Sequence, residues 1–433
     1  MTSQPRRSAG GLQQVLRVLA VLSLVAATVL GAGPSLLGQT FRSSVDLIAV
    51  DVHVAGRNGQ PLTILTPADV EVTIDGHKRR VLSATFTRHQ LTPLPSMAGG
   101  LTSEAVRSDG PGSAQVDDGG RTFIVSIDTA SFRGLDAHVA ILAAQRFIRQ
   151  LAPADAVGVY TLPQGPLLAP TTSHATVNQA IGRIVGRKLA TSQFAMTVEQ
   201  VIDITATAAT QSMMASRRSI GQMMQDDKAA GDQIDCSGPA NACTEAALNE
   251  AESLANTLEE EVMDGLNGLN SLLRLLQASP GRKTVLLLSG GMPVSDRSGG
   301  RPNLGTEVKR LGEEATYANA TIHALYFDQD LNASFTAGTR KPRSSTGRTR
   351  GIYTRALAEF SEPSGGTLSE VSTGAGEQEI DRLLAQTATY YVLGVEPDAR
   401  DRDGRPHRLG VKVRQRDATI RSRELVVVPP VRK

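Results

Sequence analysis

From Arg121 to Ala388, short apolar runs alternate with amphipathic helical stretches, and nothing else in the 433-residue chain restricts its fold as much. "TFIVSID" (122–128) is nearly continuous in apolar residues, as strands are when helices cover both faces of their sheet. Val139, Leu142, Phe147, Ile148 and Leu151 then fall at helical spacing, until Pro153 and Asp155 break the pattern. "AVGVYTL" is the next strand, "HATVNQAIGRIVG" a short helix, "GRKTVLLLSGG" a buried strand and 303–318 a helix. "ATIHALYF" and "EQEIDRLLAQTA" add one more strand and helix. This order predicts an α/β domain over 121–389 with a mostly parallel sheet and helices on both faces. A long helical insertion interrupts it at about 187–262. Its second half carries a stripe of Leu254, Leu258, Val262, Leu266, Leu269, Leu273 and Leu276.

The flanks differ in character. Residues 40–90 alternate Val70, Val72 and Ile74 and carry turn dipeptides at Asn58-Gly59 and Asp75-Gly76, which permit the positive φ of tight hairpins. Residues 390–433 continue with "TYYVLGVEP", "HRLGVKVRQ" and "TIRSRELVVVP". Neither segment is large enough to fold comfortably alone, so the two are expected to pair as one β-sandwich. Residues 91–120 are rich in Gly, Ser, Pro and Asp without periodicity and read as a flexible linker.

Residues 1–39 have the layout of a secretory signal peptide: Arg6, Arg7 and Arg17, an apolar run from Val18 to Leu30, then small residues. The apolar run is shorter than the roughly 20 residues a comfortable span needs. An extracytoplasmic location, periplasmic or secreted, follows, with an uncleaved anchor as the alternative and no membrane span after signal removal. The two cysteines, Cys236 and Cys243, read as a local disulfide in such a compartment, since no third thiol or nearby histidine completes a metal site. A formal charge of +2 argues against nucleic acid as a partner.

The order of "LTPADVEVTIDGHKRRV", "FIVSIDTASF", "LAPADAVGVYTL", "GRKTVLLLSGG", "TIHALYFD" and "YYVLGVEP" resembles exported bacterial proteins with a von Willebrand factor type A domain set between β segments. The resemblance covers about 42–428, apart from 91–120 and much of 187–250. It implies a Rossmann-like domain that grips a protein ligand through a divalent cation, Mg²⁺ or Ca²⁺, at the carboxyl edge of its sheet. Such a cation asks for about six oxygens. Asp128 matches the first ligand of that pattern, but Ala130 and Phe132 stand at its two serine positions. Ser131 and Thr129 carry hydroxyls but are one residue out of step, and are expected to point elsewhere unless the loop is rearranged. Thr171 or Thr172 matches the threonine, and Gly290 takes the place of the final aspartate, leaving Ser289 as the nearest oxygen. The metal set is thus Asp128, Ser131, Thr171 and Ser289, in a site stripped of most of its ligands. A carboxylate there better suits an architectural role, accepting hydrogen bonds from its own loop or capping the helix that follows.

Other candidates lead to no chemistry. The histidines lack paired metal spacing, Ser289 lacks a Gly-x-Ser-x-Gly elbow, and no Gly-x-Gly-x-x-Gly opens a helix. Arg340, Lys341, Arg343, Arg348 and Arg350 form a basic stretch without interleaved aromatics, which suits a solvated loop. Met213, Met214, Met223 and Met224 suit a helix interface. The resulting expectation is a non-enzymatic, adhesion-type protein with no cofactor, whose partner is a protein or cell-envelope component. The alternatives are an extracytoplasmic enzyme using the same edge as a pocket, and an envelope scaffold.

Overall fold

Strands β1 (Ile48–Ala55), β2 (Val70–Ile74), β3 (His77–Arg88) and the short β4 (Gln115–Val116) precede the α/β region of this computed structural model. That region runs β5 (Thr122–Asp128), α1 (Ala137–Arg149), β6 (Ala156–Leu162), β7 (Gly165–Thr171), α2 (His174–Ile181), α3 (Val198–Thr210), α4 (Met213–Ala230) and α5 (Ala240–Gln277). It continues through β8 (Lys283–Ser289), α6 (Gly305–Tyr317), β9 (Ala320–Phe327), α7 (Gly347–Ser361), β10 (Leu368–Val371) and α8 (Gly376–Ala388). Strands β11 (Thr389–Glu396), β12 (Pro406–Val413), β13 (Thr419–Ser422) and β14 (Leu425–Val427) close the chain. The structure describes residues 47–57, 59–92, 115–116, 120–134, 136–188, 196–230, 239–328, 347–371 and 376–430. Residues 1–39, read as a signal peptide, lie outside them, as do Asn58, Cys236 and most of 91–120.

The six-stranded sheet has the order β10-β9-β8-β5-β6-β7. All neighbours pair in parallel except β7, which returns antiparallel along β6. Alternation along β5 sends Phe123, Val125 and Ile127 to one face, packed with α1, α2 and α8. Ile124 faces the opposite layer, where Leu266, Leu269 and Leu273 of α5 meet Leu357 and Phe360 of α7. Both faces of the central strands are covered, which is why these strands lack polar alternation.

The expected β-sandwich is replaced by one curled antiparallel sheet of order β13-β1-β11-β3-β2-β12-β14, with β4 attached to β3. The head and tail do pair, through β1 with β11 and β13, β3 with β11, and β2 with β12. Because the sheet curls, Val50, Val52, Val72, Ile74, Phe86 and Leu393 enclose a core on its inner side without a second sheet. Asp75 and Gly76, at φ 50° and 78°, make the tight β2–β3 hairpin. The linker expectation also needs correction at its ends. Gln115–Val116 pairs with β3, and Thr92 donates from N to Gln150 O and from Oγ1 to Leu151 O.

The insertion has no break at residue 262, since α5 runs on from it into the sheet layer. Val201 and Ile204 of α3, Ile220 of α4 and Ala251, Leu254 and Leu258 of α5 form a separate small core, with Met223 and Met224 against it. Met213 and Met214 are exposed. Among the described residues no helix is long and apolar enough to cross a membrane.

Candidate functional site

Asp128 ends β5 at the carboxyl edge, level with Leu162 of β6 and next to the end of β8. The chain then makes a 3-10 turn, Thr129–Ser131. That turn brings Ser131 back over Asp128, contrary to the expectation that it points elsewhere. Ser131 N donates to Asp128 Oδ1 at 3.3 Å, and Ser131 Oγ donates to Asp128 O at 2.8 Å. Across the sheet Ser289 Oγ donates to Asp128 Oδ2 at 2.7 Å and accepts from Gly291 N at 3.0 Å. Gly290 N, at the position expected for an aspartate, donates to Ser131 Oγ at 2.7 Å.

Asp128, Ser131 and Ser289 therefore converge, and Thr171 does not. Thr171 ends β7 opposite Val157, near the start of β6, whereas Asp128 is level with Leu162. Five strand residues separate those levels, roughly 16 Å at the usual rise. The cause is the β6–β7 hairpin, which carries "LLAPTT" back toward the amino end of the sheet.

The gathered oxygens are enclosed. Asp128 is 3 % exposed, and Ser131 and Ser289 are also buried. Burial pushes the Asp128 carboxyl above its ordinary range, opposed by hydrogen bonds from Ser289 and Ser131 and by the charge of Lys188. Both carboxylate oxygens and both hydroxyls are engaged within the cluster. Ala130 adds no oxygen, and Phe132 is fully buried with its ring 5.9 Å from Phe327 in an edge-on contact. Among the described residues no group of three His, Cys, Asp or Glu side chains is placed to hold a metal.

Thr129 and residues that the sequence did not flag complete the enclosure. Thr129 Oγ1 donates to Leu162 O at 2.8 Å and lies 2.8 Å from the Gln164 carboxamide. Residues 186–188 strap the turn from outside: Arg187 N donates to Thr129 O at 2.7 Å and Lys188 N to Phe132 O at 2.8 Å. Gly186 permits that approach, because a Cβ there would lie 2.4 Å from Arg133 O and 2.5 Å from Phe132 O. Gly186→Ala is therefore expected to lift the strap and cost about 1–3 kcal/mol, as overpacking does. Urea unfolding checks it, and wild-type stability would remove the strap from the account.

The other candidates resolve differently. Arg348 is committed to Asp203 (Nη1–Oδ2 2.9 Å) and Asp296 (Nε–Oδ2 2.9 Å), and Arg350 lies 3.4 Å from Glu370. Arg340, Lys341 and Arg343 are outside the described residues. Cys243 is buried on α5, but its expected partner Cys236 is not described.

No protein-family model matches the chain, and no curated protein matches it. Among solved structures it is similar to BatB from Bacteroides thetaiotaomicron, with 12 % identity and a TM-score of 0.29 over 62 % of this chain and 99 % of that one. It is also similar to proximal thread matrix protein 1 from the mussel byssus, whose structure is described as having a zinc-occupied MIDAS motif. That match has 10 % identity and a TM-score of 0.31, over 65 % of this chain and 48 % of that one. The pilus adhesin SpaC from Lactobacillus rhamnosus GG matches at 9 % identity and a TM-score of 0.29, over 73 % and 38 % of the two chains. Likenesses at such TM-scores define neither the fold nor the function of this protein.

Proposed function

We propose that this chain is an exported, non-enzymatic binding protein whose α/β region is a von Willebrand type A domain that works without a divalent cation. The observation that carries the reading is the fate of Asp128. It stands where the family's first metal ligand is expected, yet its carboxylate is consumed by Ser289 and Ser131 and shut from solvent. The sheet order, with its one antiparallel edge strand, supports the domain type. Export rests on the arginine-flanked apolar run and on the spacing of Cys236 and Cys243, which suits a disulfide. The carboxyl edge then serves as a closed platform, and a protein or envelope partner is held by surfaces around it rather than through a bridging ion.

The test is thermal unfolding of the full chain in EDTA and in millimolar Mg²⁺, Mn²⁺ or Ca²⁺, beside Asp128→Asn. A ligand that binds only the native state raises stability, by roughly 2.7 kcal/mol at a hundredfold excess over its dissociation constant. No cation is expected to shift either protein, and a shift confined to the wild type would overturn the reading.

The same pair carries a pH signature. Because burial raises the folded carboxyl above its ordinary value of 3.8, the folded state binds the proton more tightly than the unfolded chain. The stabilisation is full below 3.8 and is lost as pH rises through the raised value. Asparagine keeps an acceptor for Ser131 N and offers a donor to Ser289 Oγ, without a charge. The variant should gain stability relative to the wild type as pH rises from 4 toward neutrality. Parallel stability–pH curves would show that Asp128 titrates normally.

A further inference from the structure

At the pole opposite Asp128, the amino end of the six-stranded sheet meets the curled sheet around a small cleft. Three arginines line it: Arg282, just before β8, Arg421 on β13, and Arg423, just after it. The acid that lines it is Asp51 of β1, 3.3 Å from Arg282 Nε and 3.9 Å from an Arg423 nitrogen. One carboxylate against three guanidinium groups leaves the cleft cationic in a chain whose formal charge is only +2.

The hydrogen-bond arrangement is as uneven as the charge. Arg282 Nε and Nη1 are buried with no hydrogen-bond partner among the described residues, because the Asp51 contact is close but misaligned. Its guanidinium carbon sits 4.2 Å from the Tyr390 ring centroid, which fixes the group by one of its faces. His53, opposite Arg421 in the β1–β13 ladder, has its Nε2 buried and unpartnered as well. Burial first, then the charges of Arg282 and Arg421, push the His53 imidazole down to about 4, so near neutral pH it adds no further charge. Buried donors are ordinarily satisfied, and Arg282, though its charge faces Asp51, leaves two buried N–H groups without an acceptor.

We propose that this cleft is an anion site that takes a phosphate-class oxoanion, held by Arg282, Arg421 and Arg423 at the junction of the two sheets. A tetrahedral oxoanion supplies acceptors in several directions, which matches guanidinium groups converging from separate elements. Such a ligand bonds to Arg421 on β13 and Arg423 just after it on one side and to Arg282 before β8 on the other, so binding ties the curled sheet to the α/β layer.

The experiment titrates the full chain with inorganic phosphate at constant ionic strength, by calorimetry and by thermal unfolding against chloride. A second titration uses glycerol phosphate. Saturable binding with a raised unfolding temperature is the expected result. Arg421→Gln, at an exposed residue, should fold normally and bind about tenfold more weakly or worse, as expected for a lost charge-assisted hydrogen bond. Arg282→Lys keeps the charge but loses the fork, and should weaken binding while leaving unfolding in chloride little changed. Binding of phosphate alone identifies the free ion as the ligand, whereas binding of glycerol phosphate as well identifies the terminal phosphate of a larger molecule. An equal temperature rise in wild type and Arg421→Gln would be the general salting effect of phosphate. That result, or the absence of saturable heat, overturns the proposal.

Discussion

Phe132→Ser is expected to destabilise the protein by about 3–5 kcal/mol, as deleting a buried phenylalanine does, and to create no metal site. The substitution restores the oxygen that the family pattern asks for. Yet Phe132 is fully buried and packs edge-on against Phe327, within the same layer as Ile127, Ile141 and Leu325. A serine there leaves a cavity, and its hydroxyl finds apolar neighbours. Ala130→Ser, at a half-buried position of the 3-10 turn, should by contrast be nearly neutral. Urea unfolding of the two single variants and the double variant, each with and without Mg²⁺, separates these effects. If Phe132→Ser kept wild-type stability and Mg²⁺ raised its unfolding temperature, the metal site would be latent rather than lost. The expected outcome instead ties the missing ligand to the core: the aromatic ring that removes a metal oxygen also fills the layer beneath α1 and α8.

The βα alternation was legible because strands covered on both faces must be apolar throughout, and "TFIVSID" and "KTVLLLS" are close to that. The long leucine stripe was legible for a similar reason, and each of its seven residues is buried on α5. Strand β7 was not. "GPLLAPT" begins and ends near prolines and exposes Leu167, as an edge strand can, so its pattern does not separate it from a loop. Missing that hairpin put Thr171 at the wrong end of the sheet. The site was legible only as far as its chemistry is local. Asp128 and Ser289 end strands that the apolar pattern located, whereas the return of Ser131 depends on a tight turn. The strap at Gly186, Arg187 and Lys188 leaves no periodic signal at all. The arginine cleft was invisible for a related reason: Arg282 lies about 140 residues before Arg421 and Arg423 and meets them only when the tail strands dock beside the α/β layer.

Asp155→Ala should be comparably damaging, at about 3–5 kcal/mol, because it leaves a buried cation without its partner. Asp155 is 2 % exposed and accepts four hydrogen bonds. Arg121 supplies three, from N (2.9 Å) and Nε (3.1 Å) to Oδ1 and from Nη2 (2.6 Å) to Oδ2; Ala152 N gives the fourth at 3.0 Å. One side chain thus pins the start of β5 to the loop that leads into β6. Removing it also orphans two backbone N–H groups, so replacing both charges with Arg121→Met and Asp155→Leu should recover only part of the loss. The double variant must therefore be more stable than Asp155→Ala and less stable than the wild type when unfolded in urea. Full recovery would mean that the ion pair alone, and not the capped backbone, sets the cost. No loss in Asp155→Ala would mean that water reaches Arg121 and that the amino end of the sheet is far looser than its packing implies.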